Sequence, residues 1–461
     1  MPDVRSSPFA EFAAGALTAQ FPARARQMAV DAISDSVGCQ LLGAREPIAD
    51  MLLATLAWSE TPHPALPVAL LGRQGFASPT DAALFGGTLT HALDYDDTNH
   101  PAYAHPSAVL VPAMLAVSAV EEAKGSDIVS AYIAGFELFG KLGRALNTSH
   151  YEHGWHATKT FGALAAALSA SIVLRLDAAL IETALAIAAS SASGMRANFG
   201  TMVKPLHAGQ AAQAGVSAAL LAQQGFSANR GIFEHRYGYL ALMAGAAGYD
   251  SAPFEFPGES LEILTSEGLA LKPYPSCGAT HPAIESALAV RQRLNGRTIR
   301  SVRVGASRLS FSPLIYDRPE TPLQAKFSMQ FCVATALAKG RLGLPSFSID
   351  AIRDPEIVRI MDAMTVAEDP CVANSLEFAA VITVETDSGE QISETVHLAK
   401  GKPSRWFSEA EMRTKFVDCA TAVTGPAAAT ALFDRLRALD TATPVRWFFR
   451  VQPDEDSVSV G

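Results

Sequence analysis

The chain has 461 residues, enough for two or three domains with sizeable cores. Hydrophobic residues make up 49% and charged residues 18%, which excludes a largely disordered protein. The formal charge is −10, so the basic surplus typical of nucleic-acid-binding proteins is absent. We therefore expect no nucleic-acid partner.

Cysteine content and apolar stretches indicate the compartment. Five cysteines without a CxxC pair argue against a disulfide framework and a zinc knuckle. The N-terminus carries charges of both signs and lacks the apolar core of a signal peptide. The apolar stretch 161–173 is too short to span a bilayer. We expect a cytoplasmic protein without a membrane partner.

The first 265 residues have the pattern of a helical region. Apolar residues recur at three- and four-residue spacing over 8–60, which predicts two amphipathic helices. Asp81 is the expected cap of the next helix. Further Ala-rich helical stretches are predicted at 107–124, 127–145, 161–174, 177–193 and 208–224.

The pattern changes near residue 270. Segment 299–308 alternates and is rich in β-branched residues, and 379–398 predicts a hairpin around Asp387-Ser388-Gly389. Helical patterns lie between these strands at 280–293 and 323–339. Helices are predicted again after Ser408 and after Gly425-Pro426.

These elements predict a mainly α protein with an α+β lid. The large, discontinuous, all-helical domain comprises 1–268 and 400–445, and the smaller α+β domain comprises 269–399. Residues 446–461 are expected to form a tail.

Histidines are concentrated in a few segments. Seven of the 11 fall in four of them: His91, His100 and His105; His153 and His156; His207; His281. Lys204, Lys272 and an acidic turn share these segments, a grouping unusual for scattered structural histidines. The GxGxxG, GxxxxGK[ST] and GxSxG motifs are absent, so nucleotide or α/β-hydrolase chemistry is not indicated.

The acidic turn is Asp94-Tyr95-Asp96-Asp97. Carboxylates this close raise each other's pKa, and at a helix end they can orient histidines or accept protons. A solvated capping turn is the simplest alternative. The DxDD pattern of some terpene cyclases also matches, but aromatic residues are only 8% of the chain. Asp and His could ligate a metal, but no regular ligand spacing supports a metal site.

Two lysines precede prolines, in Lys204-Pro205 and Lys272-Pro273. Because a residue before proline is pushed toward extended backbone, each lysine is predicted at an element boundary, from which it could reach across a cleft. A surface lysine beside a turn is the alternative. His156 is predicted at a helix N-terminus, where the helix dipole favours neutral imidazole and attracts carboxylates.

Five stretches together resemble the MmgE/PrpD family, which includes 2-methylcitrate dehydratase, cis-aconitate decarboxylase and iminodisuccinate epimerase. They are HALDYDDTNHPAYAHPSAVLVPAMLA at 91–116, GWHATKTFGALAAA at 154–167, KPLHAGQAAQAG at 204–215, KPYPSCGATHPAIESAL at 272–288 and AKFSMQFCVATAL at 325–337. The resemblance implies a large helical domain, a smaller α+β lid, a homodimer and a site that needs neither metal nor other cofactor.

The resemblance also implies which residues form the site. The family's active-site positions correspond to Asp94, Thr98, His105, His156, Lys204 and Lys272. The loop between Thr98 and His105 varies in the family, so His100 and Tyr103 are expected to bear on substrate choice. His207 is a further substrate-binding candidate.

The family's shared chemistry moves a proton at a carbon next to a carboxylate of a small di- or tricarboxylate. Lys204 and Lys272 are expected to bind substrate carboxylates, with Thr98 as a hydrogen-bond partner. His105 and His156 are the candidate general base and acid, and Asp94 would orient one imidazole. A dehydratase or decarboxylase is expected, with an epimerase of an amino- or iminodicarboxylate as the alternative. A binding protein without catalysis is a third hypothesis.

Overall fold

Most of the chain is α-helical, and its strands are few. The computed structural model describes residues 8–254, 260–375 and 377–446. The chain divides into two units, Met1–Ala270 with Phe407–Gly461 and Leu271–Trp406. The predicted tail at 446–461 lies outside the described residues, apart from its first residue. None of the described helices combines the length and apolar character needed to cross a bilayer.

The first unit is built from helices contributed by both ends of the chain. In chain order they are α1 (Pro8–Gly15), α2 (Ala23–Gly43), α3 (Pro47–Leu53), α4 (Pro79–His91), α5 (Ser107–Ser118), α6 (Gly125–Leu146), α7 (Ser149–Glu152), α8 (Ala157–Val173), α9 (Ala178–Ala189), α10 (Val203–Gln223), α11 (Tyr239–Ala244), α17 (Glu409–Thr424) and α18 (Pro426–Arg437).

Side-chain caps explain where several of these helices begin. The Ser408 hydroxyl accepts from the Glu411 amide and the Glu411 carboxylate accepts from the Ser408 amide, so α17 starts at the residue predicted. The cap of α4 is Ser78, which accepts a hydrogen bond from the Asp81 amide. The prediction that Asp81 is the cap is therefore wrong: Pro79 occupies the first helical position and moves the start of the helix earlier.

The description of this region as all helical is wrong in detail. Strands β1 (Trp58–Ser59), β2 (Val68–Ala69) and β3 (Phe76–Ala77) form a small antiparallel sheet in the order β1-β3-β2. A second antiparallel pair joins β4 (Thr98–Asn99) to β5 (Leu269–Ala270). Strands of two residues are too short to produce a detectable alternation of apolar and polar residues. The stretch 8–60 likewise contains three helices rather than the two predicted.

Small residues bring α4, α8 and α10 close together. A Cβ added at Gly209 of α10 would lie 2.2 Å from the Leu84 carbonyl oxygen of α4, and one at Gly215 would lie 2.3 Å from the Ala166 Cβ of α8. Such contacts require glycine, since an added Cβ would overlap the neighbouring helix. These contacts hold α10 against both α4 and α8.

The second unit combines a four-stranded sheet with helices. Its strands are β6 (Ile299–Ala306), β7 (Met364–Glu368), β8 (Ala380–Thr386) and β9 (Gln391–Val396), in the order β7-β6-β8-β9. Its helices are α12 (His281–Leu294), α13 (Pro322–Ala325), α14 (Met329–Lys339), α15 (Ile349–Ile352) and α16 (Pro355–Asp362). β6 pairs in parallel with β7 and antiparallel with β8.

The predicted hairpin is confirmed in this sheet. β8 and β9 pair antiparallel, and Gly389 between them has φ +82°, which suits glycine. β7 was not predicted, since it has only five residues and even its inward-facing side chains, Met364 and Val366, are only half-buried. The predicted helix at 323–339 is divided into α13 and α14, because Ser328 caps a new helix by accepting from the Phe331 amide.

Candidate active site

Chain segments far apart in sequence meet around one buried ammonium group, that of Lys204. His91 is the last residue of α4, and Asp94 follows in a turn with φ +53°, an uncommon conformation for a residue other than glycine. Lys204 lies in the first turn of α10. The prediction of extended backbone at Lys204 is wrong, because Pro205 falls within that first turn, where its missing amide hydrogen costs no hydrogen bond.

Lys204 makes short contacts with a carboxylate and an imidazole. Its Nζ donates to Asp94 Oδ1 at 2.6 Å and to His91 Nε2 at 2.7 Å. The side chains of Lys204 and Asp94 are 6% and 7% exposed, so this ion pair is almost completely removed from water. A buried ion pair offsets its desolvation cost only when its geometry is good and further hydrogen bonds are made. The hydrogen bond from Lys204 to His91 is one of these.

The contacts of His91 determine its tautomer. An ammonium can only donate, so His91 Nε2 accepts from Lys204 and the ring proton is on Nδ1. Nδ1 in turn donates to Asp96, 2.9 Å from Oδ1. Burial lowers the pKa of His91, Lys204 adds to this effect and Asp96 opposes it. Lys204, His91 and Asp96 therefore form a continuous chain of hydrogen bonds.

His105 is held in the same tautomer by a backbone group. Its Nδ1 donates to the Asp97 carbonyl oxygen at 2.9 Å, which leaves Nε2 as the basic nitrogen. Nε2 lies 3.5 Å from Lys204 Nζ and 3.9 Å from Asp94 Oδ1. The side chain is 13% exposed, against none for His91, so His105 is the more accessible base of the two.

A second pair of imidazoles adjoins this cluster. His156 occupies the N-cap position of α8, as predicted, and its Nδ1 lies 2.9 Å from His207 Nδ1. Its Nε2 is buried without a hydrogen-bond partner among the described residues. Burial lowers the pKa of His156 well below its usual value and that of His207 to about 4, so both are neutral at pH 7. The His91 and His156 rings are 6.4 Å apart.

Asp97 supports the turn rather than the Lys204 ammonium. Its Oδ1 accepts from the Ser107 amide at 2.9 Å, and its Oδ2 lies 2.8 Å from the Ser107 hydroxyl. Burial and the nearby Asp96 carboxylate raise the pKa of Asp97 to about 8. Asp97 is therefore largely protonated at neutral pH, which lowers the repulsion within the acidic turn.

Four groups in this cluster could also act as metal ligands. His91, Asp94, Asp96 and His105 each offer an atom within 4.8 Å of the others. The Lys204 ammonium already contacts two of these residues, so a divalent ion there would meet a positive charge at close range. The donor set thus fits an ammonium better than a metal ion, although the expectation of a metal-free site stays a prediction.

Three predicted substrate-binding residues lie on one short loop. Thr98 is half-buried on β4, and the loop closes through two hydrogen bonds between the backbones of Asn99 and Ala104. The rings of His100 and Tyr103 are 5.3 Å apart, and the Tyr103 ring lies 5.1 Å from that of Tyr151. His100 and Tyr103 thus form one aromatic cluster with Tyr151.

Lys272 belongs to the second unit. It is a buried residue, 2% exposed, in the segment that follows β5. A surface lysine beside a proline turn is therefore excluded for Lys272, as it is for Lys204. The role of Lys272 in substrate binding stays a prediction.

Sequence reasoning did not assign a role to His91 or Asp96. The signal was present, because His91, Asp94 and Asp96 lie within six positions of the chain, at the end of a predicted helix. The lysine that connects them is 113 positions from His91, a distance at which local patterns carry no information.

A buried lysine hydrogen-bonded to a histidine and a carboxylate, with three further histidines nearby, is an arrangement suited to acid–base chemistry. Residues 7–252 match the MmgE/PrpD N-terminal domain, and residues 274–439 match the MmgE/PrpD C-terminal domain. The chain belongs to the MmgE/PrpD family, as its sequence motifs predict.

Several relatives are cis-aconitate decarboxylases. The mouse enzyme is 28% identical over 358 residues, which cover 75% of this chain and 72% of the relative. The Aspergillus terreus enzyme is 27% identical over an alignment of 470 residues, covering 95% and 94%. The human enzyme is 28% identical over 304 residues, covering 63% and 62%.

Proposed function

We propose that this protein is a lyase that decarboxylates a small unsaturated tricarboxylate such as cis-aconitate, without a metal or other cofactor. The observation that carries the proposal is the buried Lys204 ammonium, bound to Asp94 and His91 beside the basic Nε2 of His105. The similarity to cis-aconitate decarboxylases supports the choice of substrate class.

The reaction needs stabilisation of negative charge and one proton. In cis-aconitate the bond between the CH₂ carbon and its carboxylate breaks, and its electron pair spreads over the adjacent double bond. A proton then adds to the carbon next to the terminal carboxylate, giving methylenesuccinate and carbon dioxide. Cationic groups near the remaining carboxylates stabilise this carbanion, because its negative charge spreads onto the carboxylate oxygens.

The cluster contains groups suited to both tasks. Lys204 supplies a positive charge and can pass protons along its contacts with His91 and His105. His105 presents a basic Nε2, and the buried His156 Nε2 has no partner among the described residues, so both can exchange a proton with a bound substrate. His207, predicted to bind substrate, is better suited to orienting His156 through their shared hydrogen bond.

The remaining assignments concern substrate recognition. We propose that Lys272 and Thr98 bind substrate carboxylates and that His100 and Tyr103 influence substrate choice. A polyanion needs several such partners, because burying an unpaired charge costs on the order of several kcal/mol.

A substrate panel followed by mass spectrometry tests the function. Purified protein is incubated separately with cis-aconitate, citrate, 2-methylcitrate and iminodisuccinate in heavy water. Loss of carbon dioxide from cis-aconitate is the expected result. Loss of water from citrate or 2-methylcitrate identifies a dehydratase instead. Deuterium uptake at a stereocentre, with the substrate otherwise intact, identifies the epimerase alternative. A His105→Ala/His156→Ala variant is the control for contaminating activity, and full turnover in that variant would support a binding protein.

A cytoplasmic homodimer stays a prediction. Sedimentation equilibrium of the purified chain measures its oligomeric state, and a mass equal to that of one chain would contradict the dimer.

A further inference from the structure

Another buried lysine, Lys415, contacts the backbone of the acidic turn. Lys415 is on α17, in the C-terminal part of the chain. Its Nζ donates to Asp35 Oδ1 at 2.6 Å and to the Tyr95 carbonyl oxygen at 2.9 Å. The same Nζ lies 4.0 Å from the centre of the Tyr95 ring. The side chains of Lys415 and Asp35 are 5% and 2% exposed.

Stability alone does not account for this pair. Burying a lysine and an aspartate costs on the order of several kcal/mol for each charge, and apolar residues of similar volume often serve stability as well or better. What apolar residues cannot do is donate a hydrogen bond to a backbone carbonyl. The hydrogen bond from Lys415 to the Tyr95 carbonyl oxygen is therefore the contact that apolar residues could not replace.

Tyr95 occupies a sensitive position in the turn. It stands between Asp94, which accepts from Lys204, and Asp96, which accepts from His91. Asp94 has φ +53°, a conformation that costs a non-glycine residue energy and persists only when its surroundings hold it. The Tyr95 carbonyl belongs to the peptide group that joins Tyr95 to Asp96, so its orientation affects where Asp96 points.

We propose that Lys415 is a positioning residue for the candidate active site. The Asp35 carboxylate fixes the position of the Lys415 ammonium, which donates a hydrogen bond to the Tyr95 carbonyl oxygen. This hydrogen bond fixes the orientation of the turn, so that Asp94 can accept from Lys204 and Asp96 can accept from His91. Lys415 lies 320 positions from Tyr95, so the C-terminal part of the chain contributes directly to the geometry of the site. The inference rests on the proposed function for its kinetic consequence.

The kinetic test compares two variants, each of which replaces a charged side chain with methionine. Lys415→Met keeps a long unbranched side chain, one atom shorter than that of lysine, and removes its charge and donors. Arg437→Met is the matched control: Arg437, on α18, pairs with Asp31 of α2 and Glu409 of α17, and neither carboxylate belongs to the acidic turn. We expect Lys415→Met to lower kcat at least about tenfold with KM changed less than about twofold. We expect Arg437→Met to keep kcat within about twofold. An equal loss of kcat in the two variants would mean that the ion pair between Lys415 and Asp35 only stabilises the fold.

A double variant separates positioning from folding. Lys415→Met alone leaves the Asp35 carboxylate buried without its cation, which destabilises the fold. Lys415→Met/Asp35→Leu removes both charges, so we expect its thermal stability to recover toward that of the wild type. Its kcat should stay low, because the Tyr95 carbonyl still lacks its donor. Wild-type kcat in this double variant overturns the proposal.

Histidine spectra provide a readout that needs no substrate. In ¹⁵N-histidine-labelled protein, the ring nitrogens of His91 report the contacts with Lys204 and Asp96, and a His91→Gln variant assigns the signals. We expect these signals to shift in the Lys415→Met/Asp35→Leu variant and to keep their wild-type positions in Arg437→Met. Unchanged His91 signals in the double variant refute positioning, whatever the substrate is. Shifted signals support it even if the substrate panel yields no turnover, an outcome that would count against the proposed function only.

Discussion

At the scale of single residues, the cluster is organised by the fact that an ammonium group can only donate hydrogen bonds. Lys204 therefore requires His91 Nε2 to accept, which directs the His91 proton toward Asp96. His105 likewise carries its ring proton on Nδ1, because Nδ1 donates to the Asp97 carbonyl oxygen. Both imidazoles thus turn a basic nitrogen toward one lysine, an arrangement suited to moving protons.

Removing the Lys204 charge is expected to impair catalysis strongly. We expect Lys204→Met to lower kcat/KM at least about tenfold, equivalent to about 1.4 kcal/mol, because both Asp94 and His91 lose their cationic partner. Steady-state kinetics on the substrate identified by the panel measure the effect. Lys141→Met is the control, since Lys141 is also a buried lysine and pairs with Glu137 on α6. A Lys204→Met variant as active as this control would contradict the assignment.

Chelation is expected to leave activity unchanged, because an ammonium group already contacts two of the possible metal ligands. The measurement is kcat after exhaustive dialysis against EDTA. Loss of turnover that one divalent ion restores would contradict this prediction and favour a metal bound by His91, Asp94, Asp96 and His105.

Asp97 is expected to make the fold less stable as pH rises. Its pKa is raised from 3.8 to about 8, so between these values the folded protein keeps a proton that the unfolded chain releases. The unfolded state then binds fewer protons, and the free energy of unfolding falls with increasing pH. Asp97→Asn cannot titrate, so its free energy of unfolding should fall less between pH 5 and pH 9.

Urea unfolding at a series of pH values measures this difference. Asp434→Asn is the control, because Asp434 is an exposed carboxyl paired with Arg413. We expect this control to follow the wild-type pH dependence. Parallel curves for the wild type and Asp97→Asn would mean that Asp97 is ionised in the folded protein.

At the scale of elements, the crossing of α4 and α10 determines the distance between His91 and Lys204. His91 ends α4 and Lys204 begins α10, and the two helices touch through Gly209. A Cβ on residue 209 would overlap the Leu84 carbonyl and the Thr88 hydroxyl, each at 2.2 Å. The helices would have to separate to accommodate it.

Gly209→Ala is therefore expected to affect stability and activity together. Overpacking of this kind typically costs about 1–3 kcal/mol in the free energy of unfolding. Activity should fall as well, because separation of the helices lengthens the contact between Lys204 and His91. Denaturant unfolding and steady-state kinetics on the same preparation measure both. Gly15→Ala on α1 is the control, because its new Cβ meets no atom within 4 Å, and its stability should change by less than about 1 kcal/mol.

At the scale of the whole molecule, the first unit needs both ends of the chain. Phe416 of α17 is 2% exposed, and its ring lies 5.5 Å from that of Phe433. A Cβ built on Gly38 of α2 would lie 3.1 Å from the Phe416 ring, which shows how closely the two helices pack. The N-terminal helices therefore complete their core only after the C-terminal segment has been synthesised.

Phe416→Ala is expected to destabilise the first unit by about 3–5 kcal/mol, because it removes a buried aromatic ring. Hydrogen exchange followed by mass spectrometry should show faster exchange in α2 as well as in α17. Phe331→Ala is the control: Phe331 is buried in the core of the second unit, so exchange should rise there. Unchanged exchange in α2 of the Phe416→Ala variant would contradict the shared core.

Local patterns in the sequence predicted much of this protein. Helical periodicity, the Ser408 cap and the Asp387-Ser388-Gly389 turn depend on neighbouring residues, and the corresponding elements form as expected. Two-residue strands and the exposed β7 were missed, because backbone pairing with distant partners creates them. Family membership was also predictable, since ordered motifs identify a family before any contact is known.

Only the tertiary structure decided which chemical groups meet. Lys204 and His91 are 113 positions apart, His156 and His207 are 51 apart, and Lys415 and Tyr95 are 320 apart. No local preference encodes such pairs, because they arise when whole helices pack and bring their ends together. The tautomers of His91 and His105 and the protonation of Asp97 follow from those contacts and from burial, so the chemistry of the site is a property of the packed molecule.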